Sequence, residues 1–439
     1  MTNHLAFLTL FLGLVAGPQP LKLQVSPSVK MVEILLDGQQ VMVLGQAPWQ
    51  TVVDFGPELR PRRLTAIAYD AKGNELAREA QLVNLARARA ELAIVLSREK
   101  NATVAKLQWQ HFSAAREESV RLTLDGKALK VDPATRSVTL PKLDLKAMHV
   151  LSAEVKFADG VLAQRELVFG GEYADSIPAE LTAVALTTDE EKAAANCLTL
   201  DGEPVRVAAV ERTRGFVGFV RDDTPRVYAA RLVGTGRGPS VTSRMPNIYT
   251  LPGLAVRIFS PTATEVSTST STTSSIFDGS GVMDGNLMDT LTLLTKLTAA
   301  ESDRPVRRAD AVAAAAVAAL RGGNRRAVVL VLGDAAPDAS RHDPASVRRY
   351  LQTIGVPLIV WSVGATPELE AAWGPVEDIS SPPALHRATE RLRKTLDRQR
   401  IAWVEADPIA ALRLTAKPDC AYMPVARVPD DRNAVLQER

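Results

Sequence analysis

The sequence predicts a multidomain chain, all-β at its N-terminal end and α/β toward its C-terminal end. Three observations predict this. Residues 22–172 hold a duplicated pattern of alternating apolar runs around Asp-Gly and Lys-Gly turns. Ala327–Leu332 is an uninterrupted apolar run, and strands buried on both faces of a parallel sheet read that way. Helix-forming segments lie on either side of that run, which is the alternation of an α/β unit.

Length and composition set the bounds. At 439 residues the chain holds about three domains. A charged fraction of 23% and a hydrophobic fraction of 46% are ordinary for packed cores. Lys and Arg number 52 against 50 Asp and Glu, so nothing points to nucleic acid or an anionic membrane surface as partner. Five histidines are few for a multi-histidine metal site.

In chain order, the first feature is the apolar run Leu5–Ala16, ended by Gly17-Pro18. It is too short for a membrane span and has the length of a secretory h-region, so residues 1–17 read as a signal peptide. No Lys or Arg precedes the run, and the alternative is a buried first strand or helix. No later segment is long and apolar enough to span a bilayer.

The repeat follows. Leu35–Val41 matches Leu122–Leu129 around Asp37-Gly38 and Asp125-Gly126, and Leu64–Val83 matches Leu151–Phe169. Alternation around such turns marks β-hairpins. Two immunoglobulin-like β-sandwiches are expected, at 22–95 and 96–172. A third Leu-Asp-Gly at Leu200–Gly202 makes the turn itself undiagnostic.

The α/β part begins with Gly215–Val220, an apolar run ending in Arg221-Asp222-Asp223-Thr224, and Leu254–Phe259 is a second strand. The Ser/Thr stretch Thr262–Ser275 reads as an exposed hairpin loop, and Leu287–Leu297 has helical spacing. Ala309–Leu320 is a helix by propensity, Asp343-Pro344 opens another, and Pro357–Val363 is a strand. Pro383–Arg400 is a basic amphipathic helix feeding an edge strand at Ile401–Val404, and the proline-bearing tail at 408–439 is extended.

These segments resemble a von Willebrand factor type A domain. The whole layout is similar to exported bacterial proteins in which β-sandwich repeats precede such a domain. The resemblance implies a doubly wound, Rossmann-like type A domain at 180–407, engaged in protein–protein interaction in the periplasm or outside the cell. Its metal site uses a D-x-S-x-S loop after the first strand, a Thr on a second loop and an Asp after the fourth strand, holding Mg²⁺ through oxygen ligands. Asp222 and Thr224 match the first two ligands and Asp334 the last. Arg226 stands in place of the second Ser, and Arg304-Pro305-Val306-Arg307-Arg308 offers no Thr. A vestigial site without a cofactor is therefore expected. In the plainer account, Asp222 and Asp334 cap helix N-termini or pair with Arg226 or Arg308.

Other signals are weaker. Cys197 and Cys420 form either one disulfide or two separate buried thiols. His342 beside Asp343 hints at acid–base work, although Asp343 is better read as a helix cap. Gly279-Ser280-Gly281 lacks the spacing of a nucleophile elbow, and no phosphate-binding glycine loop occurs. Asn101-Ala102-Thr103 fits the glycosylation triplet, and Arg387–Arg400 reads as a solvated basic face. The expected function is an exported, non-catalytic binding or scaffold protein. The alternative is a hydrolase on the α/β sheet.

Overall fold

The computed structural model describes residues 4–9, 11, 13–85, 90–99, 102–111, 116–141, 143–144, 147, 149–158, 160–169, 181–188, 197–221, 250–268, 271–279, 282–285, 305–321, 323–332, 338–362, 367–418 and 420–425. These fall into two compact units, residues 87–180 and the rest.

Module one comprises β1 (Leu5–Phe7), β2 (Pro18–Val25), β3 (Met31–Leu36), β4 (Gln39–Leu44), β5 (Gln50–Asp54), β6 (Arg62–Tyr69) and β7 (Glu75–Val83). A three-stranded sheet, β1-β2-β5, faces a four-stranded one, β4-β3-β6-β7. Leu5, Leu21, Ile34, Phe55 and Leu64 fill the core between them. The start of the N-terminal apolar run, Leu5–Phe7, is a first strand here, paired antiparallel with β2.

Module two repeats the plan with β8 (Ala90–Glu99), β9 (Ala102–His111), β10 (Glu117–Leu124), β11 (Lys127–Leu129), β12 (Ser137–Thr139), β13 (His149–Phe157) and β14 (Leu162–Phe169). Its sheets are β12-β9-β8 and β11-β10-β13-β14. A boundary at residue 95 would cut β8, whose apolar run belongs to this module's core through Leu92 and Ile94.

The Asp-Gly turns explain why the two copies share a register. Asp37 and Gly38 have φ of 53° and 82°, and Asp125 and Gly126 have 50° and 78°, the backbone of a type I′ hairpin. Each Asp also reaches the neighbouring central strand. Asp37 Oδ1 accepts from the Arg63 N–H and Asp125 Oδ1 from the Val150 N–H, both at 2.8 Å. The second carboxylate oxygen takes a basic side chain, Arg62 at 2.7 Å in module one and His149 at 2.8 Å in module two.

The chain then lays down β15 (Leu181–Thr187), β16 (Leu198–Leu200), β17 (Glu203–Pro204) and β18 (Val207–Glu211). It continues into the α/β domain with β19 (Gly215–Arg221), β20 (Leu254–Thr268), β21 (Ser271–Gly279), β22 (Met283–Asp284), β23 (Arg325–Leu332), β24 (Leu358–Ser362) and β25 (Val376–Asp378). Its helices are α1 (Arg308–Ala319), α2 (Pro344–Thr353), α3 (Pro367–Trp373) and α4 (Pro382–Asp397). The sheet order is β21-β20-β19-β23-β24-β25, with β22 against β20. β20, β19, β23, β24 and β25 run parallel, while β21 and β22 are antiparallel to β20. All eight residues of β23 are buried, as its apolar run requires.

Helices cover both faces. Ala309, Val312, Ala316, Val347, Tyr350 and Trp373 of α1–α3 pack on one, and Leu385, Leu392 and Leu396 of α4 on the other. The alanines of α1 let it lie close on the sheet. A Cβ at Gly218 would stand 3.3 Å from Ala315 Cβ. The Ser/Thr stretch expected to be a loop is instead paired strand in β20 and β21, in keeping with the β-propensity of Thr. Leu287–Leu297, Asn101, Ser280 and Gly281 lie outside the described residues.

After α4 come β26 (Gln399–Glu405), α5 (Pro408–Ala411), β27 (Leu414–Ala416) and β28 (Met423–Pro424). Two expectations are corrected here. β26 is not an edge of the large sheet, and the chain to Val425 is not simply extended. β26 lies between β18 and β15 in a four-stranded sheet, β18-β26-β15-β28, and a three-stranded sheet, β17-β16-β27, faces it. Val184, Leu186, Leu198, Val404, Leu414 and Tyr422 form their shared core.

This is a third sandwich of the same kind. Leu198-Thr199-Leu200-Asp201-Gly202-Glu203-Pro204-Val205-Arg206-Val207 aligns with Leu122-Thr123-Leu124-Asp125-Gly126-Lys127-Ala128-Leu129-Lys130-Val131. Asp201 and Gly202 again have positive φ, 51° and 91°, and the Asp201 carboxylate takes Arg413 at 2.8 Å. The Leu before each Asp-Gly pairs across the sheet with another Leu: Leu36 with Leu64, Leu124 with Leu151, Leu200 with Leu414. The α/β domain is therefore an insertion into the third repeat.

Cys197 and Cys420 are bonded, with Cα atoms 5.4 Å apart and a sequence separation of 223. The bond closes the third sandwich around the insertion. Loops this long give roughly 5 kcal/mol in the chain-entropy model, and measured bridges give about 2–4. Cys197→Ser with Cys420→Ser should accordingly lower the denaturant midpoint of the third sandwich. Two free thiols in the non-reduced protein would show that the bond does not form.

The His149–Asp125 pair sets a pH dependence. The Asp125 hydrogen bond raises the His149 pKa despite partial desolvation. A raised folded-state pKa means that stability is fully present below the unfolded value, about 6.5, and is lost as pH rises through the folded value. Residues 87–180 expressed alone should lose urea resistance over that window, and His149→Arg should flatten the loss. An equal decline in the Arg variant would refute the assignment.

Candidate functional site

In an α/β sheet the carboxyl ends of the parallel strands are where ligands bind. Here β19 ends at Arg221 and β23 at Leu332. Asp222, Thr224, Arg226 and Asp334, the residues singled out for a metal, lie beyond those ends and outside the described residues. The structure does describe the neighbouring corner, where α1 begins and the segment 338–343 crosses it.

That corner is a polar network. Arg307 precedes α1 and provides no side-chain cap. Asp338 caps the helix from outside it. Its Oδ1 accepts from the Arg308 N–H at 3.0 Å and its Oδ2 from the Ala309 N–H at 3.2 Å. The Ser340 hydroxyl donates to Asp338 Oδ1 at 2.6 Å and accepts from the Asp310 N–H at 3.2 Å. A carboxylate at a helix N-terminus satisfies orphan donors and meets the positive end of the dipole.

Asp310 in the first turn of α1 is the second centre. Its Oδ2 accepts from Arg307 Nε and from the Arg341 N–H, each at 2.9 Å. Its Oδ1 meets His342 Nδ1 at 2.8 Å. Burial works to raise the Asp310 pKa. The His342 hydrogen bond, the Arg341 N–H and the Arg307 guanidinium outweigh it and hold the carboxyl below the usual carboxylate range. An ionised Asp310 only accepts, so His342 Nδ1 carries the proton.

Sequence and structure agree on Asp343. It caps α2 by accepting from the Ser346 N–H at 2.9 Å. His342 is partnered not by this neighbour but by Asp310, from another element. Asp338, Ser340 and Asp310 escaped the sequence reading. The available signal was Asp338-Ala339-Ser340, a short acid–hydroxyl pair near the end of β23, but nothing in its spacing reveals which helix it caps.

Chemically, the Asp310–His342 pair is an oriented imidazole, and the Ser340 hydroxyl is committed to Asp338. Among the described residues no group of three or more His, Cys, Asp or Glu side chains is placed to hold a metal ion. No described helix is long and apolar enough to cross a membrane.

No family model matches the chain, and a search of curated proteins finds no match. Solved structures give distant likenesses. The fibronectin(III)-like modules of Clostridium thermocellum CbhA are 17% identical over 18% of this chain and 92% of theirs, with a TM-score of 0.17. Proximal thread matrix protein 1 from the mussel byssus, with a zinc-occupied MIDAS motif, is 15% identical over 47% of this chain and 49% of its own, at 0.27. The central fibronectin-III array of RIM-binding protein is 11% identical over 43% of this chain and 75% of its own, at 0.25. At such TM-scores these likenesses carry no argument about function, and the architecture rests on the strand order described above.

Asp310 should contribute measurably to stability. Its folded pKa is depressed, so its contribution is present above the unfolded value, about 3.9, and lost as pH falls through the folded value. Asp310→Asn should lower the melting temperature at neutral pH, and the difference from wild type should shrink in acid. A difference that stayed constant as pH fell all the way to acid unfolding would contradict the charge-based account.

Proposed function

We propose that this protein is an exported, non-catalytic binding or scaffold protein. Its α/β domain is type A-like and is presented to a protein partner by the third β-sandwich. The observation that carries the reading is the hydrogen-bonded corner at α1. Asp338 with Ser340 caps the helix, and Arg307 and His342 hold the Asp310 carboxylate. An arrangement of this kind builds a fixed surface rather than a set of groups waiting for a substrate. The Cys197–Cys420 bond supports export, because such bonds persist in oxidising compartments.

The binding is proposed to be independent of Mg²⁺. Where the type A pattern calls for a ligating Thr, the chain supplies Arg307 and Arg308, both buried. Arg226, in place of the second hydroxyl ligand, would repel a divalent cation. The residual oxygen ligands, Asp222, Thr224 and Asp334, would leave the ion largely in the hands of water.

The rival reading, a hydrolase, draws on the oriented imidazole of His342. Turnover of any substrate in a broad hydrolase screen, abolished by His342→Ala, would favour it. For the binding reading, the α/β domain with its host sandwich should capture a protein from the native envelope equally well with and without chelator. Millimolar Mg²⁺ or Mn²⁺ should leave the melting temperature unchanged. Tight Mg²⁺ binding by calorimetry, lost on Asp334→Ala, would overturn the metal-free account.

A further inference from the structure

The three repeats allow one edge strand to be compared with its own copies. In module one the edge strand after the Asp-Gly turn is β4, Gln39-Gln40-Val41-Met42-Val43-Leu44. Its equivalent in module two begins Lys127-Ala128-Leu129-Lys130, and in the third sandwich Glu203-Pro204-Val205-Arg206. Folded proteins protect sheet edges by making them short or by placing charge or proline there. Both sister strands follow that rule, with three and two residues in strand conformation.

β4 does not. It is six residues long, without charge or proline, and among the described strands it pairs only with β3. Every other described edge strand either is no longer than three residues or carries a charged residue or a proline. The register shift between Ile34 and Leu35 leaves Val41 without an opposite residue. Val41, Met42 and Val43 are 44%, 38% and 42% exposed, three consecutive apolar side chains at the open edge.

We propose that β4 is a pairing edge, and that its occupant is β4 of a second copy of this chain, joined antiparallel about a two-fold axis. The outer N–H and C=O groups of an edge strand are satisfied by water or by another strand, and apolar side chains favour the strand. A two-fold pairing sets the strand against itself. A net charge on the strand would then be brought within a few residues of the same net charge on its copy, which disfavours pairing. An uncharged β4 suits isologous pairing, and Lys127 with Lys130 in module two would oppose it. Two six-residue strands bury less than the ~1,200 Å² of stable interfaces, so the dimer is weak and concentration-dependent.

Light scattering on the full oxidised chain, from about 1 to 200 μM to cover the weak range, tests this. The mass should rise from the 47.3 kDa of one chain toward twice that value. Gln39→Lys with Met42→Lys restores the charge pattern of module two and should hold the protein at monomer mass, with unchanged circular dichroism and melting temperature. Val43→Lys, also on an exposed position, should do the same. A wild-type monomer at every concentration would overturn the proposal and leave β4 to a different strand. So would a dimer that survives both variants.

Discussion

The architecture depends on Arg325, at the root of the central strand. An insertion enters and leaves its host at two points, and both must be fixed if the inserted domain is to hold a defined position. Arg325 does this with one side chain. Its Nε donates to Thr213 O at 2.7 Å on the entering segment, and its Nη1 donates to Leu396 O at 2.8 Å at the end of α4. Next to it, Arg326 N–H donates to Gln399 Oε1 at 2.8 Å and Gln399 Nε2 donates to Arg326 O at 3.0 Å. Burial and the nearby Arg212 lower the Arg325 pKa, while Asp397 counters them. The guanidinium stays charged and supplies donors to carbonyls that a helix end leaves orphaned. An apolar side chain here would strand those carbonyls, at about 1–3 kcal/mol for each buried group.

The same economy appears in the sandwiches. One short sequence, Leu-Asp-Gly, sets the hairpin through positive φ and ties it to a third strand through the Asp carboxylate. The basic side chain on that carboxylate varies, Arg62, His149 or Arg413, and Arg413 takes both oxygens of Asp201 where the other two copies give one oxygen to a backbone N–H. Arg keeps the tie over the whole accessible range, whereas His makes it conditional on protonation. Divergence among the copies is therefore concentrated at the carboxylate clamp and at the edge strand that follows it, while the hairpin itself is retained.

This separates what could be read from the sequence from what could not. β23, α1, α2 and α4 follow from local features: a continuous Val/Leu run, an alanine-rich segment, Asp343 at a helix cap, and the apolar stripe Leu385, Leu392 and Leu396. The first two sandwiches follow because each keeps its paired strands within one short stretch. The third could not be seen, because Leu200 pairs with Leu414 across the entire α/β domain. β26 follows a helix and has the residue pattern of a further sheet strand. Only its pairing with β15 and β18 shows that it belongs elsewhere. The site divides in the same way. Asp343 acts on its own helix and was legible, whereas Asp338 acts on a helix thirty residues upstream. Caps that come from a distant segment have no spacing rule.

Module one completes the enclosure of the α/β domain. Asn84 ends it with φ of 58° and uses its side chain to hold Val15 and Arg60 through bonds of 2.8 Å. Its carbonyl accepts from the Tyr350 hydroxyl of α2, also at 2.8 Å. Burial raises the Tyr350 pKa, so the phenol keeps its proton and remains a donor. Leu59 of module one enters the same apolar cluster as Tyr350 and Leu351, and Arg63 pairs with Asp407 at the head of α5. The α2 face of the α/β domain is thereby committed to module one, and the roots of β19 and β23 are committed to the third sandwich. These contacts hold the α/β domain at more places than the two chain connections through which it is inserted.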